Sequence, residues 1–431
     1  MSKKTNQGKQ TRREFIKSGS INAAAALAGF SVLRNAYGQN TDPIRVGLVG
    51  CGGRGTGAAE DCLTSAPNVK LVALADVFED QAEKCLKTLK DPKREKGLLA
   101  GVEVEKDHIF IGFDACQKLL ETDIDLVLLA TPPVFRPEHF AAAVAAGKNV
   151  FAEKPMGVDP VGVRKFMKAG KLSVQKGLAF VAGTQRRHDP AYVELIRRVH
   201  DGQIGEILAL RCFWCQHYLW KKDRQPGWSD MEWQLRNWNY FVWISGDHIV
   251  EQHLHNLDVI NWAMNAHPIK ALGLGGRQVR TDPVYGNVYD HFAVDFEYEN
   301  GVHLSSMCRQ QENTDIRIGE FLVGTRGTTE SHWDRAIIRA DRSWKYRGEK
   351  VNPYVKEHTD LINSIRNGNP INEARNVAES TMTAIMGRQS AYTGKEVTWE
   401  EMMASELDLS PARYEFGPLP IRPVAKPGQS A

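Results

Sequence analysis

The chain of 431 residues has little net charge, few cysteines, and no apolar run long enough to cross a bilayer. Lysine and arginine number 55 against 52 acidic residues, a net of +3. Seven of those bases (Lys3, Lys4, Lys9, Arg12, Arg13, Lys17, Arg34) stand in the first 38 residues beside one acid, Glu14. The remainder is slightly acidic and offers no broad cationic surface to nucleic acid or an anionic membrane, so a small-molecule partner is expected. Seven cysteines, an odd number without regular spacing, argue against a disulfide framework. Cys212 and Cys215 form a C-x-x-C inside an apolar run that reads as a strand, where residues three apart face opposite sides and share a metal poorly. Repeats and low-complexity tracts are absent. A composition 42% hydrophobic and 25% charged is that of an ordinary globular chain, long enough for two domains.

Thr11-Arg12-Arg13-Glu14-Phe15-Ile16-Lys17 precedes a weakly apolar, Ala-rich stretch from Ile21 to Leu33 and then Ala36-Tyr37-Gly38. Paired arginines, a modest core without acids and small residues at a cleavage position resemble a twin-arginine (Tat) signal over residues 1–38. The resemblance implies export to the periplasm, a route that carries folded proteins with their cofactor already inserted. The apolar stretch is shorter than the ~20 residues a span needs, so no membrane span is expected.

From Ile44 the pattern alternates strand and helix. Ile44 to Val49 is an apolar run, Gly50-Cys51-Gly52-Gly53-Arg54-Gly55 follows, and a helix is expected to about Leu63. The next strand, Val69 to Ala75, ends at Asp76, where a dinucleotide fold places the acid that binds the adenosine ribose. Glycines allow the backbone to approach a pyrophosphate at the helix amino terminus. Asp76 would repel a 2′-phosphate, so NAD is favoured over NADP, with Arg54 able to soften that preference. Further strands fit Ile124 to Ala130, Asn149 to Ala152 and Ala179 to Ala182, separated by helices at Pro137 to Ala146 and Pro160 to Gln175. The expected fold is an α/β Rossmann domain, a doubly wound parallel sheet, over residues 42–187.

Beyond His188 the runs lengthen and alternate: Ile207 to Tyr218, Tyr289 to Tyr298, Val302 to Met307 and Ile316 to Val323. They suit an α+β domain with a large, mostly antiparallel open sheet over residues 188–410. Late helices fit Pro353 to Arg366 and Ala374 to Tyr392. A Pro-rich tail, 411–431, is expected to be irregular.

Glu153-Lys154-Pro155 closes the Asn149 to Ala152 strand, on the edge where open α/β sheets bind ligands. With the glycine loop, Asp76, Thr131-Pro132-Pro133 and the later Glu251-Gln252-His253-Leu254-His255-Asn256-Leu257-Asp258, the chain from Ile44 to about Thr398 resembles the Gfo/Idh/MocA family of sugar and polyol oxidoreductases. The resemblance implies that Lys154 contacts the reacting hydroxyl, that Pro155 follows a cis peptide bond, and that His255 is the general base. It implies a cofactor set of Gly50, Gly52, Gly53, Arg54, Gly55, Asp76, Thr131, Pro132, His139, Glu153 and Lys154. Glu251 replaces the family's Asp. Four residues before His255, it would share a helix face with it and orient the substrate. An ordinary imidazole pKa of ~6.5 suits a base near neutrality.

Asp247, His248, Glu251 and His255 also have helical spacing for a metal, but hydride transfer in this family needs none, and none is expected. His253 should be packed or exposed. Arg186, Arg187 and His188, just past the Ala179 to Ala182 strand, are candidate donors to a polyhydroxylated substrate, with a structural role for one arginine as the alternative. Trp214, Trp220, Trp228, Trp233, Trp238 and Trp243 cluster ahead of the catalytic helix. Trp238 is a candidate sugar contact, and the Tyr218 to Asn239 insertion a candidate lid over the site.

The leading reading is an NAD-dependent oxidoreductase acting on a carbohydrate. Export favours a retained cofactor and a redox-neutral cycle: coupling of two sugars, or a glycosidase that oxidises, eliminates, adds water and re-reduces, unlike two-carboxylate hydrolysis. A non-catalytic nucleotide- or sugar-binding protein is the third reading. Family members associate through the open sheet face, so a homodimer or homotetramer is expected.

Overall fold

The computed structural model describes residues 42–93, 96–333 and 335–429. Arg12-Arg13 and the Ile21 to Leu33 stretch, expected as an export signal, lie outside the described residues.

Six parallel strands form the first sheet: β1 (Ile44–Val49), β2 (Val69–Asp76), β3 (Ile109–Ile111), β4 (Leu126–Leu129), β5 (Asn149–Ala152) and β6 (Phe180–Ala182), in the order β3-β2-β1-β4-β5-β6. β4 is buried at all four positions, as a strand covered on both faces must be. The order reverses between β1 and β4, so the loops leaving their carboxyl ends diverge and open a crevice there. Three helices that position the site flank this sheet: α1 (Gly53–Ser65), α2 (Arg136–Ala145) and α3 (Pro160–Gln175). Asp159 caps α3 by accepting from Gly162 N at 2.7 Å, with Pro160 at the first helical position.

The second sheet has nine strands: β7 (Ile207–Gln216), β8 (Lys270–Gly276), β9 (His291–Glu297), β10 (His303–Gln310), β11 (Arg317–Gly324), β12 (Gly327–His332), β13 (Arg335–Ala340), β14 (Trp344–Lys345) and β15 (Val397–Thr398). Their order is β14-β13-β12-β11-β7-β10-β9-β8-β15, and every pairing is antiparallel except β7 with β10. Helices α4 (Leu254–Met264) and α6 (Ala374–Thr393) cover one face. A Cβ on Gly273 of β8 would lie 2.9 Å from Ala391 N, which shows how closely α6 approaches the sheet. The opposite face carries the cross-strand row Leu274, Ala293, Met307 and Phe213, with Leu274 73% exposed.

Helix α5 (Pro353–Arg366) returns to the first sheet and packs on α1, while α6 packs on α3. The intervening chain bonds to the edge of β6, Phe180 N donating to Ile371 O at 2.8 Å. Among the described residues the tail beyond Ser410 has no helix or strand, yet its aromatic side chains are held against the first domain.

Candidate active site

β1 delivers the chain into the glycine loop. Gly50 has φ +95°, and a Cβ there would sit 2.6 Å from Thr131 N; one on Gly55 would sit 1.8 Å from Gly50 O. These two glycines permit the turn itself. Gly52 and Gly53 differ, since a Cβ on either would meet nothing within 4 Å. They border open space at the amino terminus of α1, whose first turn has no side-chain cap and no acid. Free N–H groups and the positive end of the helix suit a pyrophosphate.

Asp76 closes the other side of the crevice, accepting from Cys51 N at 2.6 Å and Phe78 N at 2.9 Å. Burial pushes its pKa up against those two bonds. The cleft, about 440 Å³, is lined by Asp76, Thr131, Pro132 and His139 on one wall and by Lys222, Arg236 and Trp238 on the other. His139 lies 3.3 Å from Thr131 Oγ1, and burial with the Arg136 charge lowers its pKa to about 4, so it is neutral. Loop, ribose acid and volume fit a dinucleotide. Arg54 also borders the cleft, with its Nε paired to Glu153 Oε1 at 2.7 Å and its Nη2 to Asp61 at 2.9 Å. Its charge is already neutralised, so its expected softening of the NAD preference is absent from this geometry. Glu153 in turn is spent on Arg54.

Lys154 follows β5, and the Lys154–Pro155 peptide bond is cis. Arg136 Nη1 clamps the bend, donating to Lys154 O at 2.7 Å and Pro155 O at 2.8 Å. Lys154 Nζ donates to Glu251 Oε1 at 2.7 Å and to the Glu251 carbonyl. Both side chains are nearly buried, at 11% and 12% exposure.

The expected continuous helix through Glu251 and His255 is corrected by the structure. A single turn, His248–Glu251, is capped by Asp247 at φ +74°, and α4 begins only at Leu254. Between them His253 N bonds back to His248 O and His255 N to Gln252 O, five- and three-residue steps that break the four-residue ladder. Side chains at the break explain it. Gln252 Oε1 accepts from Gln216 Nε2 at 3.0 Å, and His253 Nε2 meets Ser306 Oγ at 2.7 Å, which pulls both toward the second sheet. His255 then enters from the first turn of α4, buried and stacked on Trp214 at 5.6 Å and 19°. Burial, then the charges of Lys154 and Arg186, hold its pKa well below 6.5. Its imidazole is therefore neutral and ready to accept a proton. Nδ1 is buried with no hydrogen-bond partner among the described residues.

Other expected donors are already engaged. Arg186 is buried against Glu320, whose Oε1 also accepts from Asn256 at 2.7 Å. Arg187 makes a bidentate pair with Asp258 at 2.8 and 2.9 Å. His188 Nδ1 lies 2.8 Å from Asp360 Oδ2, and Nε2 is 3.2 Å from Glu373 Oε1 but off the N–H direction. All three knit the turn after β6 to distant elements, although Arg186 Nε and Nη2 are buried with no hydrogen-bond partner among the described residues. Trp238 lines the nucleotide cleft, tilted against Trp220 at 6.0 Å, and not the Lys154 side of the site. Among the described residues no three His, Cys, Asp or Glu side chains gather to hold a metal, and all seven cysteines are free.

The segment expected as a lid lines the nucleotide cleft through Trp220, Lys222, Leu235, Arg236 and Trp238, and a second segment that the sequence reading missed packs beside it. Arg236 of the Trp-rich insertion pairs with Asp80 at 2.9 Å and lies 3.8 Å over the Phe78 ring. From the tail, Phe416 stacks on Phe78 at 5.8 Å and touches Phe113 at 5.2 Å, and Tyr414 meets Phe135 at 5.2 Å. Leu419 ties tail to insertion, its N donating to Asp230 Oδ2 at 3.0 Å and its O accepting from Gln234 Nε2 at 2.7 Å. Two aromatics, Tyr414 and Phe416, in a Pro-rich tail were the available signal.

Comparison with known proteins places this geometry. The family described as "Oxidoreductase family, NAD-binding Rossmann fold" matches residues 44–180, and the "GFO/IDH/MocA C-terminal domain" matches 192–330. An inositol 2-dehydrogenase of Klebsiella pneumoniae (strain 342) is 27% identical over 226 residues, 52% of this chain. The match spans about half of that relative, 55% of its length. The scyllo-inositol 2-dehydrogenase (NAD(+)) of Bacillus subtilis (strain 168) is 24% identical over 66% of this chain and 72% of its own. The crystal structure of scyllo-inositol dehydrogenase from Lactobacillus casei shares the fold, with a TM-score of 0.63 at 21% identity over 85% of this chain and 99% of that one.

Proposed function

The chain belongs to the Gfo/Idh/MocA oxidoreductase family, and from that membership we propose an NAD-dependent enzyme that oxidises a ring hydroxyl of a sugar, glycoside or polyol and keeps its nucleotide between turnovers. One observation carries the reading: Lys154 Nζ, held 2.7 Å from Glu251, stands within electrostatic reach of a buried, neutral His255 at the carboxyl end of the parallel sheet. When bound in the glycine-loop cleft, NAD+ supplies a carbon that accepts hydride. His255 takes the proton of the reacting hydroxyl as a general base. Lys154 donates a hydrogen bond to the same oxygen and stabilises negative charge as the proton leaves. Glu251 fixes the ammonium and accepts from a neighbouring hydroxyl. The similarity to inositol dehydrogenases favours a cyclitol or pyranose.

The Arg236–Asp80 pair and the Tyr414–Phe416 packing support slow cofactor exchange. Export through an Arg12-Arg13 signal into the periplasm goes with that, since a retained cofactor must be returned to its starting redox state within the same site. The hydride would go to a second carbonyl compound or back to the oxidised sugar. The apolar row through Leu274 and Met307 is the face we assign to a homo-oligomer. The test is to purify the protein without added nucleotide, denature it and quantify NAD and NADH. Near-stoichiometric nucleotide is expected; an empty protein would overturn retention.

A further inference from the structure

Trp333, in the turn between β12 and β13, has φ +33°, a left-handed backbone conformation that a bulky residue rarely adopts and that tends to persist where a site needs it. Its indole is 45% exposed. The ring stands 6.2 Å from that of Trp214 at 64°, and Trp214 lies parallel to the His255 imidazole. The Arg186 guanidinium lies 5.5 Å from Trp214 and 5.9 Å from Trp333, so one buried cation fixes both indoles from behind. Trp214 is only 7% exposed and already faces His255. The next free aromatic surface outward from the proton acceptor is therefore that of Trp333.

We propose that Trp333 is the wall of a second subsite, which stacks on a ring joined through oxygen to the sugar whose hydroxyl reacts at His255. The inference rests on the oxidoreductase reading of the Lys154–His255 site and narrows its substrate class from sugars, glycosides and polyols to glycosides. A substrate whose hydroxyl reaches His255 fills the space beside Trp214. Trp333 lies one indole farther from His255 than Trp214 does, which places it for a substituent on the reacting ring. Its exposed face and perpendicular set offer an apolar surface to the C–H face of a sugar or to an aryl group.

The test compares methyl β-glucoside with phenyl β-glucoside in the nucleotide-loaded wild-type, Trp333→Ala and Trp333→Phe proteins, after thermal melts show that the variants fold. Trp333→Ala should raise KM for the phenyl glycoside about 3- to 10-fold, with kcat nearly unchanged. The methyl glycoside should be unaffected, and Trp333→Phe should recover most of the loss. Equal losses on both glycosides, or a fall confined to kcat, would overturn the proposal and make Trp333 a support for Trp214 and His255. Calorimetric binding of phenyl β-glucoside reads the subsite without turnover. Weaker binding to Trp333→Ala in the absence of any NADH would sink the oxidation reading and leave the subsite standing; equal binding would sink the subsite.

Discussion

His188 is the point at which the junction between the two sheets becomes pH-dependent. Burial works against its charged form, but Asp360 and Glu373 outweigh that cost and push its pKa from 6.5 up to about 9. The folded state therefore holds this proton across a window in which the unfolded chain has lost it. The stabilisation is complete below about pH 6.5 and disappears as the pH rises through about 9. At 1.36 kcal/mol per unit, the gap is worth on the order of 3 kcal/mol. Against burial, the lowered pKa of Asp360 reflects the same His188 contact together with its pairing to Lys356. Urea unfolding of the wild-type protein and His188→Gln, run from about pH 6 to about pH 9.5, measures it. The stability difference between the two should be largest at the acid end and shrink by on the order of 3 kcal/mol at the alkaline end, with unchanged m-values. A difference independent of pH, or one that grows with pH, would refute the assignment of a charged His188 held by two carboxylates.

Other outcomes follow from the same geometry. Lys154→Met should lower kcat by about 10²- to 10⁴-fold with the nucleotide still bound, read by steady-state kinetics and nucleotide extraction. Glu251→Ala leaves the Lys154 ammonium, 11% exposed, with a carbonyl as its remaining partner, and should cost more activity than Glu251→Gln, which keeps an acceptor. Because burial and the Lys154 and Arg186 charges depress the His255 pKa, kcat/KM should show no acid limb near pH 6.5, and Lys154→Met should move the limb toward higher pH. Phe416→Ala combined with Arg236→Ala should speed the loss of bound nucleotide during dialysis while leaving the first turnover unchanged, a result checked by stopped-flow absorbance.

What the sequence makes legible is local. The bounds of α3 and α5 are readable to the residue because Asp159-Pro160 and Asn352-Pro353 are capping signals, with Asn352 accepting from Tyr354 N at 3.1 Å. β5 is equally plain, an apolar run between turns. β3 escapes because three half-buried residues show no period. Lys154 and Glu251 do meet and His255 feels the Lys154 charge, yet the helix spacing offered as the reason is wrong, since the break at Gln252 and His253 depends on partners in the second sheet. Arg186, Arg187 and His188 look like free donors because their carboxylates are 134, 71 and 172 residues away. The cover of the nucleotide cleft shows the same limit: the insertion is visible as a tryptophan cluster, but its pairing with the tail at Leu419 needs Asp230 and Gln234 to meet a segment some 185 residues later.

Hydride transfer within the nucleotide-loaded protein tests the central claim most directly. Protein carrying NAD+ is mixed with cyclitols, pyranoses and their glycosides in a single-turnover format, and nicotinamide reduction is followed by absorbance in the wild type, Lys154→Met and His255→Asn. The account predicts reduction of the bound nucleotide by at least one ring polyol or glycoside in the wild type, and its slowing by orders of magnitude in both variants. Nucleotide that stays oxidised with every compound, or that is reduced at the wild-type rate in either variant, would contradict it.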